Sequence, residues 1–254
     1  MNTKSISHNS HSKLPPLTLL RSFEDVKREM RRVMLERRNP DRAVEILEAG
    51  CGSRWDVQLD GLDYRVIGVD LDAAAVNARM TVRKDLHEVI IGDLLKVDLG
   101  ERQFDIIFNS FVLEHVIGAE ALLRRFVGWL RPGGIVLIRI PDPDSVKGLI
   151  TKLTPHWFHV WYYRVVLRYP GAGEPGKPPY PTIYEPVVSR TGIHDFAARH
   201  GLVVSEEFGS GGIKKRDRLI DRAINLFTGL VSAFSFGRYS DDHTDLLIVL
   251  RRPH

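Results

Sequence analysis

The chain predicts an α/β protein built on an open, mostly parallel sheet with helices on both faces. Three observations carry that prediction. Apolar runs of strand length alternate with helix-length amphipathic stretches, a glycine turn follows the first run, and an acid closes the second. Tyr64-Arg65-Val66-Ile67-Gly68-Val69-Asp70 shows the density of Val and Ile expected of a strand covered on both faces.

The stretch from Glu45 to Asp72 organises the rest. Ile46 and Leu47 lead into Glu48-Ala49-Gly50-Cys51-Gly52, where two glycines let the backbone turn tightly and approach a ligand that any Cβ would block. Asp70, 22 residues after Glu48, then sits at the tip of the next strand and can accept hydrogen bonds from a ribose diol. A nucleoside cofactor fits. A dinucleotide fits less well, because Gly50-Cys51-Gly52-Ser53-Arg54-Trp55-Asp56 lacks the third glycine of Gly-x-Gly-x-x-Gly. Glu48, just before the first glycine, suits a cofactor whose near end carries an ammonium group and would repel a pyrophosphate.

Residues 1–20, rich in Ser, His, Asn and Pro, predict a flexible tail without a signal-peptide core, and residues 21–254 one domain. Within it, Ser22 caps a helix over 22–38 whose Phe23, Val26, Met30, Val33 and Met34 share one side and whose arginines supply a basic side; it is placed to cover the sheet or the cofactor mouth. Ala73 to Lys84 is helical, Glu88 to Ile91 a short strand, and Gly92-Asp93-Leu94 its close. Phe104 to Asn109 is the next strand, Asn109 to Val116 crosses into a helix, and Ala119 to Leu130 forms another. Leu130-Arg131-Pro132-Gly133-Gly134 stops that helix before the strand Ile135 to Ile140.

Residues 141–188 depart from a minimal fold. They crowd His156, Trp157, Phe158, His159, Trp161, Tyr162, Tyr163, Tyr169, Tyr180 and Tyr184, with cap helices expected over 142–169 and an ordered loop over 170–186. Ser189 caps a helix over Arg190 to His200, and Leu202 to Phe208 and Asp245 to Leu250 complete seven candidate strands. A second insertion, 212–238, holds an amphipathic helix from Lys214 to Ser235 that covers the core, pairs two subunits in a homodimer or touches a lipid surface.

At Glu48 to Gly52, Asp70, Gly92-Asp93-Leu94 and Asn109 to Val116, the sequence resembles the class I S-adenosylmethionine-dependent methyltransferases, particularly the small-molecule group with ubiquinone-type and sugar or antibiotic O-methyltransferases. The resemblance covers residues 43 to 140 well. It implies a Rossmann-like seven-stranded sheet, mostly parallel, with the last strand antiparallel beside the sixth, and S-adenosyl-L-methionine as cofactor. It further implies that Glu48, Gly50 and Gly52 surround the donor's amino-acid end, Asp70 and Leu71 its ribose and adenine side, Asp93 and Leu94 the adenine, and Asn109 its central edge. Arg54 stands where many relatives have the third glycine, and would alter the donor's carboxylate contacts or meet that carboxylate.

Methyl transfer needs a nucleophile in line with sulfur and methyl carbon. A hydroxyl must lose its proton as it attacks, so a histidine near neutrality is a sensible base: His115, at the strand-to-helix transition, or His156 and His159 from the cap. Trp161, Tyr163 and Tyr184 are the candidates to hold a sugar-like, polyketide-like or aromatic acceptor. Leu113-Glu114-His115 resembles part of the metal-associated Glu-x-x-Glu-His motif of ubiquinone-type relatives, but Phe111 replaces the first acid and no metal is assigned. The expected function is methylation of a small-molecule hydroxyl; the alternatives are N-methylation with the same donor and a noncatalytic cofactor-binding or assembly module.

Composition narrows the setting. A net charge of +4 and a pI near 9.2 permit an acidic partner without demanding one. Nucleic acid is not favoured, since the basic residues lie mainly in two amphipathic segments without an aromatic-interleaved strip. A lone cysteine excludes an internal disulfide framework, and no run reaches the roughly 20 apolar residues that cross a bilayer. The expected location is the cytoplasm.

Overall fold

A computed structural model describes residues 14–53, 57–174, 177–211, 219–235 and 238–254. Eight strands form one sheet: β1 (Thr18–Leu20), β2 (Val44–Ala49), β3 (Tyr64–Asp70), β4 (Glu88–Ile91), β5 (Phe104–Ser110), β6 (Leu130–Pro141), β7 (Val203–Ser210) and β8 (Asp245–Arg251). Their order is β1-β7-β8-β6-β5-β2-β3-β4, parallel throughout except that β8 runs antiparallel between β6 and β7. This is the Rossmann-like arrangement with one strand added.

That added strand is β1. Residues 18–20 were expected in a tail, yet they pair in parallel with Phe208, Gly209 and Ser210. Leu17 packs against the core on one side of the sheet and Leu20 is buried in the core on the other, while Thr18 between them stays exposed. A strand this short leaves almost no periodic signal.

Each face of the sheet has its own apolar core. On one face, α3 (Ala119–Trp129) and α6 (Arg190–Arg199) bury Leu122, Phe126, Ile193 and Phe196 against Leu47, Ile107 and Ile138. On the other, α1 (Phe23–Leu35) and α2 (Ala73–Val82) bury Met30, Met34 and Val76 against Ile46, Val66 and Leu137. Alternate residues of each central strand point to opposite faces. Local signals start the helices as read: the Ser22 hydroxyl accepts from the Asp25 amide at 3.0 Å, and the Ser189 hydroxyl from the Gly192 amide at 3.0 Å.

Two further stretches differ from the sequence reading. β6 begins at Leu130 and absorbs the Pro132-Gly133-Gly134 turn, with an irregular register between Phe104 and Ile106. After β5 the chain makes only a 3-10 turn, Leu113–His115, before Gly118 opens α3. Phe111 there has φ 57°, the left-handed region where a bulky residue costs about 1–3 kcal/mol, so the path cannot continue into a helix. The cap comprises α4 (Val146–Leu153), α5 (His156–Val165) and a strap that returns to the post-β5 turn. Ile183 donates to the Glu114 carbonyl at 2.6 Å, and the Glu185 carboxylate accepts from the Gly118 amide at 2.6 Å. The second insertion contributes α7 (Leu219–Phe234), packed on α4; Lys214 to Arg218 lie outside the described residues. Among the described residues, no helix is long and apolar enough to cross a membrane.

Candidate functional site

From β2 the chain steps outward through β3 and β4, then returns to the opposite side of β2 at β5. The loops leaving β2 and β5 therefore diverge, and ligands bind in such a crevice at the carboxyl ends of parallel strands. Gly50 (φ 82°) and Gly52 (φ 50°) turn the chain there. A Cβ on Gly50 would run into the side chain of Val112, while the space in front of Gly52 is open. Gly50 thus makes room for the Val112 side chain of the loop after β5, and Gly52 leaves room for a ligand. The Asp70 carboxylate accepts from the Gly52 amide at 2.7 Å and from the Asp72 amide at 2.8 Å, pinning the turn to the tip of β3. An ionised carboxylate has about four acceptor positions, so two remain for a ribose diol. Leu71, 71% exposed, and the half-exposed Ile91 offer apolar surface beside Asp93, whose carboxylate accepts from the Leu95 amide at 2.9 Å. These features fit a nucleoside donor.

Three expected donor contacts sit differently. Glu48 is buried and pairs with Arg79 at 2.8 Å; the same guanidinium donates to Asp85 at 2.8 Å and to the Cys51 carbonyl at 2.7 Å. Burial raises the Glu48 pKa and the guanidinium opposes that rise. Its carboxylate therefore clamps α2 to the end of β2 and to the glycine turn, instead of waiting for a ligand's ammonium. Asn109 is fully buried, its Nδ2 donating to the Ala49 carbonyl at 2.8 Å and tying the ends of β2 and β5 together. The side chain of Leu94 belongs to the core. Arg54 lies outside the described residues.

Beside this crevice, the cap encloses a cavity of about 890 Å³. His115, His159, Tyr163 and Tyr184 line it; His156 and Trp161 do not. His156 is exposed and meets His159 edge-on, with ring centroids 6.2 Å apart, while Trp161 stacks on the outer side of Phe158 at 5.5 Å. At about 100° per residue, Phe158, His159, Tyr162 and Tyr163 turn to the cavity side of α5 while Trp157 and Trp161 turn away from it.

The protonation of His115 follows from geometry. Its Nδ1 is 2.7 Å from the Pro181 carbonyl, which can only accept, so Nδ1 carries the proton and Nε2 keeps a lone pair. Burial holds its pKa below the usual 6.5. His159 differs: the Thr154 hydroxyl donates to the Ile150 carbonyl at 2.7 Å and so accepts from His159 Nε2, also at 2.7 Å. Burial and the neighbouring His156 lower the His159 pKa too.

The sequence reading missed the acidic side of the cavity. Glu114 is buried with no hydrogen-bond partner for Oε2, and burial pushes its carboxyl up to about 8. Asp245, at the start of β8, is raised by burial against the opposing pull of Lys147 and Arg139. His243 also lines the cavity, and behind it Asp142, which does not, accepts from His243 Nε2 at 2.7 Å, both buried. Glu114 was visible as the neighbour of His115, but nothing local links Asp142 to a histidine 101 residues away.

Comparison with known proteins agrees with the crevice geometry. Residues 47–138 match the family model described as a methyltransferase domain. A protein of Mycolicibacterium smegmatis named "Probable S-adenosylmethionine-dependent methyltransferase" is 32% identical over 117 residues, covering 45% of this chain and 44% of that one. Phosphoethanolamine N-methyltransferase 3 of Arabidopsis thaliana is 30% identical over 112 residues, covering 39% of this chain and 23% of that one. The chain thus spans less than half the length of either relative. The crystal structure of a SAM-dependent methyltransferase from Archaeoglobus fulgidus superposes with a TM-score of 0.57 at 17% identity, covering 91% of this chain and 94% of that one.

Proposed function

We propose that this chain, which belongs to the class I S-adenosylmethionine-dependent methyltransferases, transfers a methyl group to a hydroxyl of a small molecule held in the cap cavity. When bound, the donor supplies an electrophilic methyl group on a sulfonium; the chain's residues hold, orient and deprotonate. Gly52 leaves room for the donor's amino-acid end, Asp70 accepts from the ribose hydroxyls, and Leu71 and Asp93 flank the adenine. Tyr163 and Tyr184 orient the acceptor. The observation that carries the hydroxyl reading is the His115 tautomer, with the Nδ1 proton held by the Pro181 carbonyl and the Nε2 lone pair, 3.8 Å from Glu114 Oε1, left to take the acceptor's proton.

Glu114 and Asp245 favour a second reading, transfer to an amine. A buried and a half-buried carboxyl beside aromatic rings suit an ammonium group before it yields its proton. Cell extract incubated with labelled donor and the purified chain, followed by mass spectrometry of labelled products, identifies the acceptor. Matched alcohols and amines then separate the readings. Turnover of the alcohols that fails in His115→Ala with donor affinity kept supports the first; turnover of amines alone overturns it. Donor binding without turnover of any acceptor would make the chain a noncatalytic module.

A further inference from the structure

We propose that the outer face of the cap docks on an anionic lipid surface. α5 is two-sided. At roughly 100° per residue, Phe158, His159, Tyr162 and Tyr163 fall on one side and line the cavity, while Trp157, Trp161, Arg164 and Val165 fall on the other. No residue of α5 is fully buried. Trp157 is 70% exposed, and Leu153 at the end of α4 is 75% exposed, so the stripe runs from one helix to the next. Such a continuous apolar stripe marks a surface that something covers.

Charge indicates what covers it. Between Val146 and Gly173 the chain carries Lys147, Lys152, Arg164 and Arg168 and no Asp or Glu, and of these Lys147 lines the cavity. Arg168 is exposed beside the stripe; Arg164, on the same side of α5, is exposed while its Nε donates to the Ala172 carbonyl at 2.9 Å, and the exposed Lys152 has its ammonium over the Tyr184 ring at 5.3 Å. Tryptophans flanked by long basic side chains match the boundary between headgroups and acyl chains, where rings sit at headgroup level and cations reach phosphate. A second copy presenting the same face would set like charges against one another. The inference goes beyond methyl transfer and is independent of which atom receives the group.

Flotation of the full chain with vesicles of phosphatidylcholine alone, or mixed with phosphatidylglycerol, tests this, with sedimentation velocity run in parallel. The chain should float with the phosphatidylglycerol vesicles and detach as salt rises. The double variant Leu153→Ser/Trp157→Ser should bind roughly tenfold more weakly, and Lys152→Glu/Arg168→Glu should abolish the preference for phosphatidylglycerol. Melting temperature and S-adenosylhomocysteine binding report that both variants are folded. Absence of flotation by the folded chain, or equal flotation by folded variants, overturns the proposal. So does a dimer that Trp157→Ser dissociates, which would give this face to a second copy.

Discussion

Replacing Arg79 with methionine should destabilise the fold by about 3–5 kcal/mol, the usual cost of removing one partner from a buried ion pair. The magnitude follows from what Arg79 touches. Its side chain is fully buried, and it bonds Glu48, Asp85 and the Cys51 carbonyl at 2.7–2.8 Å. Methionine fills much of the volume but leaves Glu48, also buried, without its cation. Burial already raises the pKa of that carboxyl, and losing the guanidinium that opposes the rise would push it higher still. The variant should then be relatively more stable in acid and lose stability as pH rises through the folded pKa. Adding Glu48→Gln should recover part of the loss, because the uncompensated charge is gone, and a double-mutant cycle by urea denaturation measures the coupling. Calorimetry with S-adenosylhomocysteine supplies the second readout. A loss below about 1 kcal/mol in Arg79→Met would refute the clamp, since no surface pair is worth more. The clamp also fails if Glu48→Gln leaves stability intact yet abolishes donor affinity, which would return Glu48 to the role of ammonium ligand.

Other outcomes follow from the same geometry. Asp70→Ala should weaken S-adenosylhomocysteine binding by roughly 10- to 100-fold, the worth of hydrogen bonds to a charged acceptor, measured by titration calorimetry. With an alcohol acceptor, kcat should rise with pH along a limb centred below 6.5 as His115 loses its proton; a limb surviving in His115→Gln would remove it as the base. Glu114, with a folded pKa of about 8 against an ordinary 4.5, contributes stability fully present below 4.5 and lost as pH rises through 8. Glu114→Gln should therefore flatten that decline in denaturation midpoints between acid and alkaline pH. Gly50→Ala should destabilise, and Val112→Ala should rescue it only in part, because the left-handed φ of 82° persists after the clash is relieved.

Much of the fold was legible because its signals are local. β3 and β5 announce themselves as apolar runs, Ser22 and Ser189 as caps, and Asp70 as the acid closing a strand. What remained hidden depends on partners remote in sequence. Glu48 reads as a ligand group until Arg79, 31 residues later, folds beneath it. The edge strand β1 exists only because β7 offers Phe208 to Ser210. His156 and Trp161 looked equal to His159 and Tyr163, since all four share one aromatic helix.

The sequence by itself determined the alternation of strands and helices, the glycine crevice and the supply of histidines and aromatics, because periodicity and turn chemistry act over a few residues. Tertiary structure alone decided which side of α5 faces the cavity, which carboxyls are paired and which nitrogen of His115 holds its proton. Those outcomes are set by packing and hydrogen bonding across the chain, where a burial or a carbonyl brought from 66 residues away fixes a charge that composition leaves open.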